Sequence, residues 1–174
     1  EDRLLNGVRA LEHLLTLSIM PDDFEMDHIA GCDVSEAAVC EASADIQDRV
    51  FGLMCRAVPV FAEEQTSDGE YTLESQELHR QFLALIEAEM ERALQAEGWD
   101  DFAGFQASLR DAITLGGGGA GAGGEEGLRM RKGEAAAELL ELMDVVTRFE
   151  QWADAMKRRG KELSELRASA ESLE

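Results

Sequence analysis

Apolar residues in this chain recur at every third and fourth position, and only two prolines, Pro21 and Pro59, interrupt them. Such spacing returns side chains to one face of an α-helix, whereas a half-buried strand would need strict alternation. Leu4, Leu5, Val8, Leu11, Leu14, Leu15 and Ile19 make one stripe that stops short of Pro21, which predicts an amphipathic helix. Ile46, Val50, Phe51, Met54, Val58 and Phe61 make a second, over about residues 44–62, with Pro59 bending or ending it. The longest stripe is Leu78, Phe82, Leu85, Ile86, Met90, Ala93 and Leu94, interleaved with Glu87, Glu89, Glu91 and Arg92. Gly98 breaks it, Asp100 or Asp101 can cap a shorter helix, and Phe102, Phe105, Leu109 and Ile113 share one face of that helix. From Glu134 onward, Leu139, Leu140, Leu142, Met143, Val145, Val146, Phe149, Trp152 and Met156 cover most of a helix circumference, which predicts a central helix. Leu163, Leu166, Ala170 and Leu173 mark a more polar, peripheral helix over residues 161–173.

With many Ala, Leu, Glu, Gln and Arg and a single Tyr, the expected fold class is all-α, a single-domain bundle over residues 1–160 with a C-terminal helix extension over 161–174. Two segments stand apart. Residues 21–48 hold nine acids and no Lys or Arg, an acidic insertion (about residues 21–43) read as a solvated loop or exposed helical face in preference to a docking patch for a basic partner. Residues 116–124 read GGGGAGAGG, within a Gly-rich loop expected over 116–127, too free in conformation to hold a fixed shape and expected to be a disordered insertion. The tract lacks the Gly-Lys-Ser/Thr ending of a phosphate loop, and no strand leads into it. The compact basic cluster at 128–132 is read as the start or flank of the next helix.

Sixteen Lys plus Arg stand against 37 Asp plus Glu, a formal charge of −21. Counterion release on nucleic acid needs a cationic face, so neither nucleic-acid binding nor attraction to anionic lipid is expected. No apolar run approaches the roughly 18 residues of a membrane span, so no direct membrane insertion is expected. The three cysteines, Cys32, Cys40 and Cys55, are odd in number and form no C-x-x-C pair, which fits a reducing compartment.

Residues 64–75 look like a calcium loop, with Asp68 fifth and Gly69 sixth, but Glu64 stands where Asp is needed and Ser75 where a bidentate Glu is needed. His28, Cys32 and Cys40 have generic spacing and lack a second Cys pair, so no metal site is expected. His13 and His79 are each alone in helical patterns and read as surface or rim residues. No nucleophile, zinc or triad signature is present, and no catalytic residue, enzyme activity or cofactor is expected.

Residues 78–94, L-H-R-Q-F-L-A-L-I-E-A-E-M-E-R-A-L, resemble the BART domain, a family that binds Arf-like GTPases, whose pattern there is roughly I-[FH]-x-E-Y-x-x-L-V-E-x-x-I-E-x-x-L. Phe82 takes the aromatic position, Leu85, Ile86 and Glu87 the L-V-E, and Met90, Glu91 and Leu94 come next at matching spacing. Tyr71 and Thr72 resemble the Y-T ahead of that helix, and Gly98, Trp99, Asp100, Asp101 and Phe102, with Phe105 and Gln106, resemble the acidic start of the next. Leu139, Leu140, Phe149 and Trp152 resemble the L-L and D-F-x-x-F of the family's apolar helix. The likeness covers about residues 44–115 and 134–157.

The resemblance implies a domain of about six helices, with cilium and centrosome among the places where such domains act; the chain itself is expected to be monomeric alone and cytoplasmic. It implies an effector of a GTP-bound Arf-like small GTPase, contacting the switch regions and receiving the GTPase's N-terminal amphipathic helix in an apolar groove. Such a helix offers anchors at i, i+3, i+4 and i+7. Three or four buried Leu or Ile contribute roughly 5 to 12 kcal/mol gross, before ordering and association costs. Implied groove walls are Leu78, Phe82, Leu85 and Ile86, with Phe102, Phe105 and Leu109, and with Leu142, Val146 and Phe149. The alternative is a helical scaffold whose partner is indifferent to nucleotide.

Overall fold

The computed structural model describes residues 2–18, 33–63, 71–116 and 125–171. Among them every regular element is an α-helix: α1 (Arg3–Ser18), α2 (Val34–Glu41), α3 (Ile46–Glu63), α4 (Leu73–Ala96), α5 (Phe102–Gly116), α6 (Glu125–Thr147) and α7 (Phe149–Glu171). The all-α expectation holds. Residues 21–32 with His28 and Cys32, the turn 66–69, residues 64–70 of the calcium-like loop, and the glycine tract after Gly116 lie outside the described residues.

Helix ends are set by local chemistry. Asp2 Oδ1 accepts from the Leu4 and Leu5 amides (3.1 and 3.5 Å) at the start of α1. Asp33 caps α2 through the Ser35 and Glu36 amides (2.8 and 2.9 Å), and hydrogen bonds from Ser35 and from these amides hold its carboxyl below the usual carboxylate range. Of the two candidate caps for α5, Asp101 is the one that engages, accepting from the Gly104 amide at 2.6 Å. At the end of α4, Gly98 takes φ +84° while the Trp99 amide donates to the Leu94 carbonyl (2.9 Å) and the Gly98 amide to that of Gln95 (3.0 Å), a Schellman closure.

Two expectations are narrowed by the structure and two need correction. Pro59 does not end its helix, because α3 runs on to Glu63. Of the two readings of the acid-rich stretch, loop or exposed helical face, α2 follows the second: Ser35, Glu36, Ala38 and Val39 are exposed, while α2 packs on α3 through buried Ala37, whose carbonyl oxygen is 2.6 Å from where a Cβ on Gly52 would stand, so glycine permits the approach. The apolar run after Glu134 is two helices, since α6 ends at Thr147 and the Arg148 carbonyl opens α7 by accepting from Trp152 (3.1 Å). Residues 161–171 belong to α7 and are continuous with Phe149. Within α6 burial narrows to Gly133, Ala136, Leu139 and Val146, while Leu142 and Met143 are half-buried and Val145 is exposed, so this helix is not enclosed all round.

The chain divides into two compact units, one of Glu1–Thr16 with Ile86–Val146, the other of Leu17–Leu85 with Thr147–Glu174. In the first, Val8, Leu11, Leu15, Ile86, Leu94, Phe105, Leu109 and Leu139 are fully buried. Trp99 meets Phe105 edge to face at 5.1 Å, and the Arg3 guanidinium lies 4.3 Å over the indole. Lys132 pairs with Asp2, and this hydrogen bond is the largest cause holding the Asp2 carboxyl below its usual range. In the second unit α3 packs on both α2 and α7. Its core is Val50, Ala57, Val58, Phe61, Leu78, Phe82, Trp152, Ala153, Met156 and Leu163. No helix of the described residues is long and apolar enough to cross a membrane.

Candidate functional site

The most elaborated side-chain cluster of the second unit begins at the N-terminus of α4. Thr72 Oγ1 accepts from the Ser75 amide (3.2 Å) and lies 2.7 Å from Ser75 Oγ, fixing the first turn. From Ser75 the helix repeat brings Leu78, His79 and Phe82 inward, all buried. On α7 the same repeat places half-buried Phe149 one turn before buried Trp152. Phe61 of α3 meets Trp152 edge to face at 5.5 Å. Tyr71 meets Phe149 edge to face at 4.7 Å, with Lys157 Nζ 4.3 Å from its ring centre.

His79 is the hub of these rings. Its imidazole lies 5.1 Å from Phe149, 5.2 Å from Trp152 and 6.4 Å from Phe82, and Phe82 in turn stacks on Trp152 at 5.8 Å. It is 7% exposed, Nε2 is buried without a hydrogen-bond partner, and burial pulls its pKa below the ordinary histidine value. The expectation of a surface or rim histidine is thus overturned. The signal was its helical register, which sets it beside Leu78 and Phe82 on the inward face, and a count of histidines as polar hides it. An open cleft of about 480 Å³ borders the cluster, lined by Tyr71, Gln76, His79, Arg80, Leu83 and Phe149.

A second cleft in the same unit, about 340 Å³, is lined by Glu41, Arg49, Leu53, Arg56, Gln81, Ala84 and Leu85. Arg56 grips the Glu41 carboxylate through Nε (2.5 Å) and one terminal nitrogen (2.9 Å) and also donates to Gln81 Oε1 (2.7 Å), joining α2, α3 and α4. The first unit has a cleft of about 340 Å³ between α1 and α6, where Leu5, Val8 and Leu128 meet Arg9, Glu12, Arg131 and Glu138. Burial chiefly, and then Glu138, push the Glu12 carboxyl above its usual range, while Arg9 pulls it down.

The ten implied groove residues divide between the units. Leu78, Phe82, Leu85 and Phe149 belong to the second, and Ile86, Phe102, Phe105, Leu109, Leu142 and Val146 to the first. Seven are buried, while Phe102, Leu142 and Phe149 keep part of their surface open. His13 is exposed, Cys40 is half-buried and Cys55 is buried. Among the described residues no three His, Cys, Asp or Glu side chains gather as metal ligands would. No family model, curated protein or solved structure matches the chain.

Proposed function

We propose that this protein is a BART-like effector or adaptor that binds the GTP-bound form of an Arf-like small GTPase through its switch regions and N-terminal amphipathic helix. The observation that carries the reading is residues 78–94, where the aromatic, the L-V-E-like triplet and the later apolar positions fall at the family's spacing. Support comes from the described residues, whose regular elements are all helices, and from half-buried apolar side chains in each unit, Phe102 and Leu142 in the first and Phe149 in the second.

Dependence on GTP arises if the GDP form keeps its amphipathic helix folded against itself, because only differential affinity shifts such an equilibrium. The test is binding to Arf-like GTPases loaded with a nonhydrolysable GTP analogue or with GDP, each with and without the N-terminal helix. Binding that needs both supports the reading. Leu142→Asp and Phe102→Asp, at positions open enough to spare the core, are then expected to weaken association at least about tenfold, roughly 1.4 kcal/mol. If no GTPase binds in either state, the reading fails and a scaffold indifferent to nucleotide takes its place.

A further inference from the structure

We infer that His79 is an acid-sensitive latch in the second unit: protonation of its buried imidazole loosens the packing of the first turns of α7 against the start of α4. The inference rests on the ring cluster and is independent of the GTPase reading.

A neutral imidazole packs as an aromatic ring, and here it has three ring neighbours and no partner for Nε2. An imidazolium carries a donor on each nitrogen. Nε2 is itself buried and has no acceptor within hydrogen-bond reach, so a charged donor there goes unsatisfied and is strongly disfavoured. The charged groups around it do not help. On its own helix Arg80 borders the same cleft and is paired with Glu77. On α7 Lys157 sits over Tyr71, whose ring abuts Phe149. From α3 the cluster receives the uncharged Phe61. Burial is therefore what acts against a positive charge at this position. Attraction between an imidazolium and the faces of Phe82 and Trp152 offsets part of this, so the expected response is loosening in the mildly acid range.

The sign is fixed by linkage. Burial lowers the histidine's affinity for a proton in the folded state, so the unfolded chain binds more protons between the two pKa values. Packing is intact above the ordinary histidine value, near 6.5, and weakens as pH falls below it, by at most about tenfold in the folding constant per pH unit for one proton. Most carboxylates titrate lower, around 4, so they contribute little between pH 5 and 7, and the His79→Leu comparison separates His79 from the other histidines.

Trp152 is a built-in reporter, and Trp99→Phe in the full chain leaves it as the sole indole. Between pH 7.5 and 5 the Trp152 emission is expected to shift to the red, and the His79 imidazole, monitored by NMR in the wild-type chain, to titrate below its ordinary value with the same midpoint. His79→Leu is expected to abolish the emission shift. A shift that persists in His79→Leu, an imidazole that titrates at or above its ordinary value, or an emission unchanged down to pH 5 would each overturn the inference. Should the leucine variant not fold, the NMR midpoint against the emission midpoint decides.

Discussion

Gly98 closes α4 with φ +84°, a backbone conformation in which any Cβ crowds the next carbonyl. Gly98→Ala is therefore expected to lower stability by about 1 kcal/mol, read as a shift in the urea midpoint with an unchanged slope. That glycine and the Asp101 cap after it were legible because capping depends on neighbours only a few residues away. Glu12 was not, because its perturbation comes from burial against α6 and from Glu138, far along the chain. Its folded-state pKa is raised, so the folded chain holds the proton more readily, and stability is lost as pH rises through the folded value. Glu12→Gln should raise the melting temperature at pH 7 and leave it nearly unchanged at pH 4. Equal effects at both values would mean that packing, and not charge, sets the cost.

Helices as elements were readable wherever their own periodicity and caps agree. α1, α4 and α5 come out close to where their stripes and breakers put them, although α4 begins at Leu73, ahead of its apolar stripe. The misses share a cause, which is that a neighbouring element decides. Pro59 is carried inside α3, one turn from the end, while packing on α7 holds the segment around it. Apolar residues continue without Gly or Pro across Thr147 and Arg148, so nothing local announces the break between α6 and α7. The crossing of α3 and α7 depends on Gly160, where an added Cβ would lie 2.7 Å from the Ala62 amide nitrogen and 2.9 Å from its Cα. Both obstructing atoms are backbone, so no rotamer change relieves the clash. Gly160→Val should cost about 1–3 kcal/mol through forced separation of the helices. The urea midpoint measures the cost, and a loss below about 0.5 kcal/mol would mean that the two helices can slide apart freely.

At the scale of the whole molecule, the fold class was legible from period and composition, whereas the division into two units was not. The apolar stripe of α4 runs unbroken through Leu85 and Ile86, where one unit gives way to the other. Charge, by contrast, is fully visible, and its effect on stability is one that the exposed pairwise contacts offset only in part. Pairs such as Arg80 with Glu77, Arg129 with Glu125 and Lys161 with Glu165 are exposed, and each contributes no more than about 0.5 kcal/mol. Against them stands a net charge of −21, whose self-repulsion is greatest in the compact state and relaxes on unfolding. Salt weakens both terms, with a screening length of about 10 Å at 0.1 M falling to about 4 Å at 0.5 M. The excess of 21 negative charges outweighs what pairs of this kind return, so repulsion loses more. Raising NaCl from about 20 to 500 mM at pH 7.5, where His79 is neutral and the acids are ionised, should therefore raise the melting temperature by several degrees. Sodium sulfate would also strengthen apolar burial, so sodium chloride is the cleaner probe. A melting temperature that falls with NaCl would show that the acids are held by more favourable contacts than the exposed pairs provide.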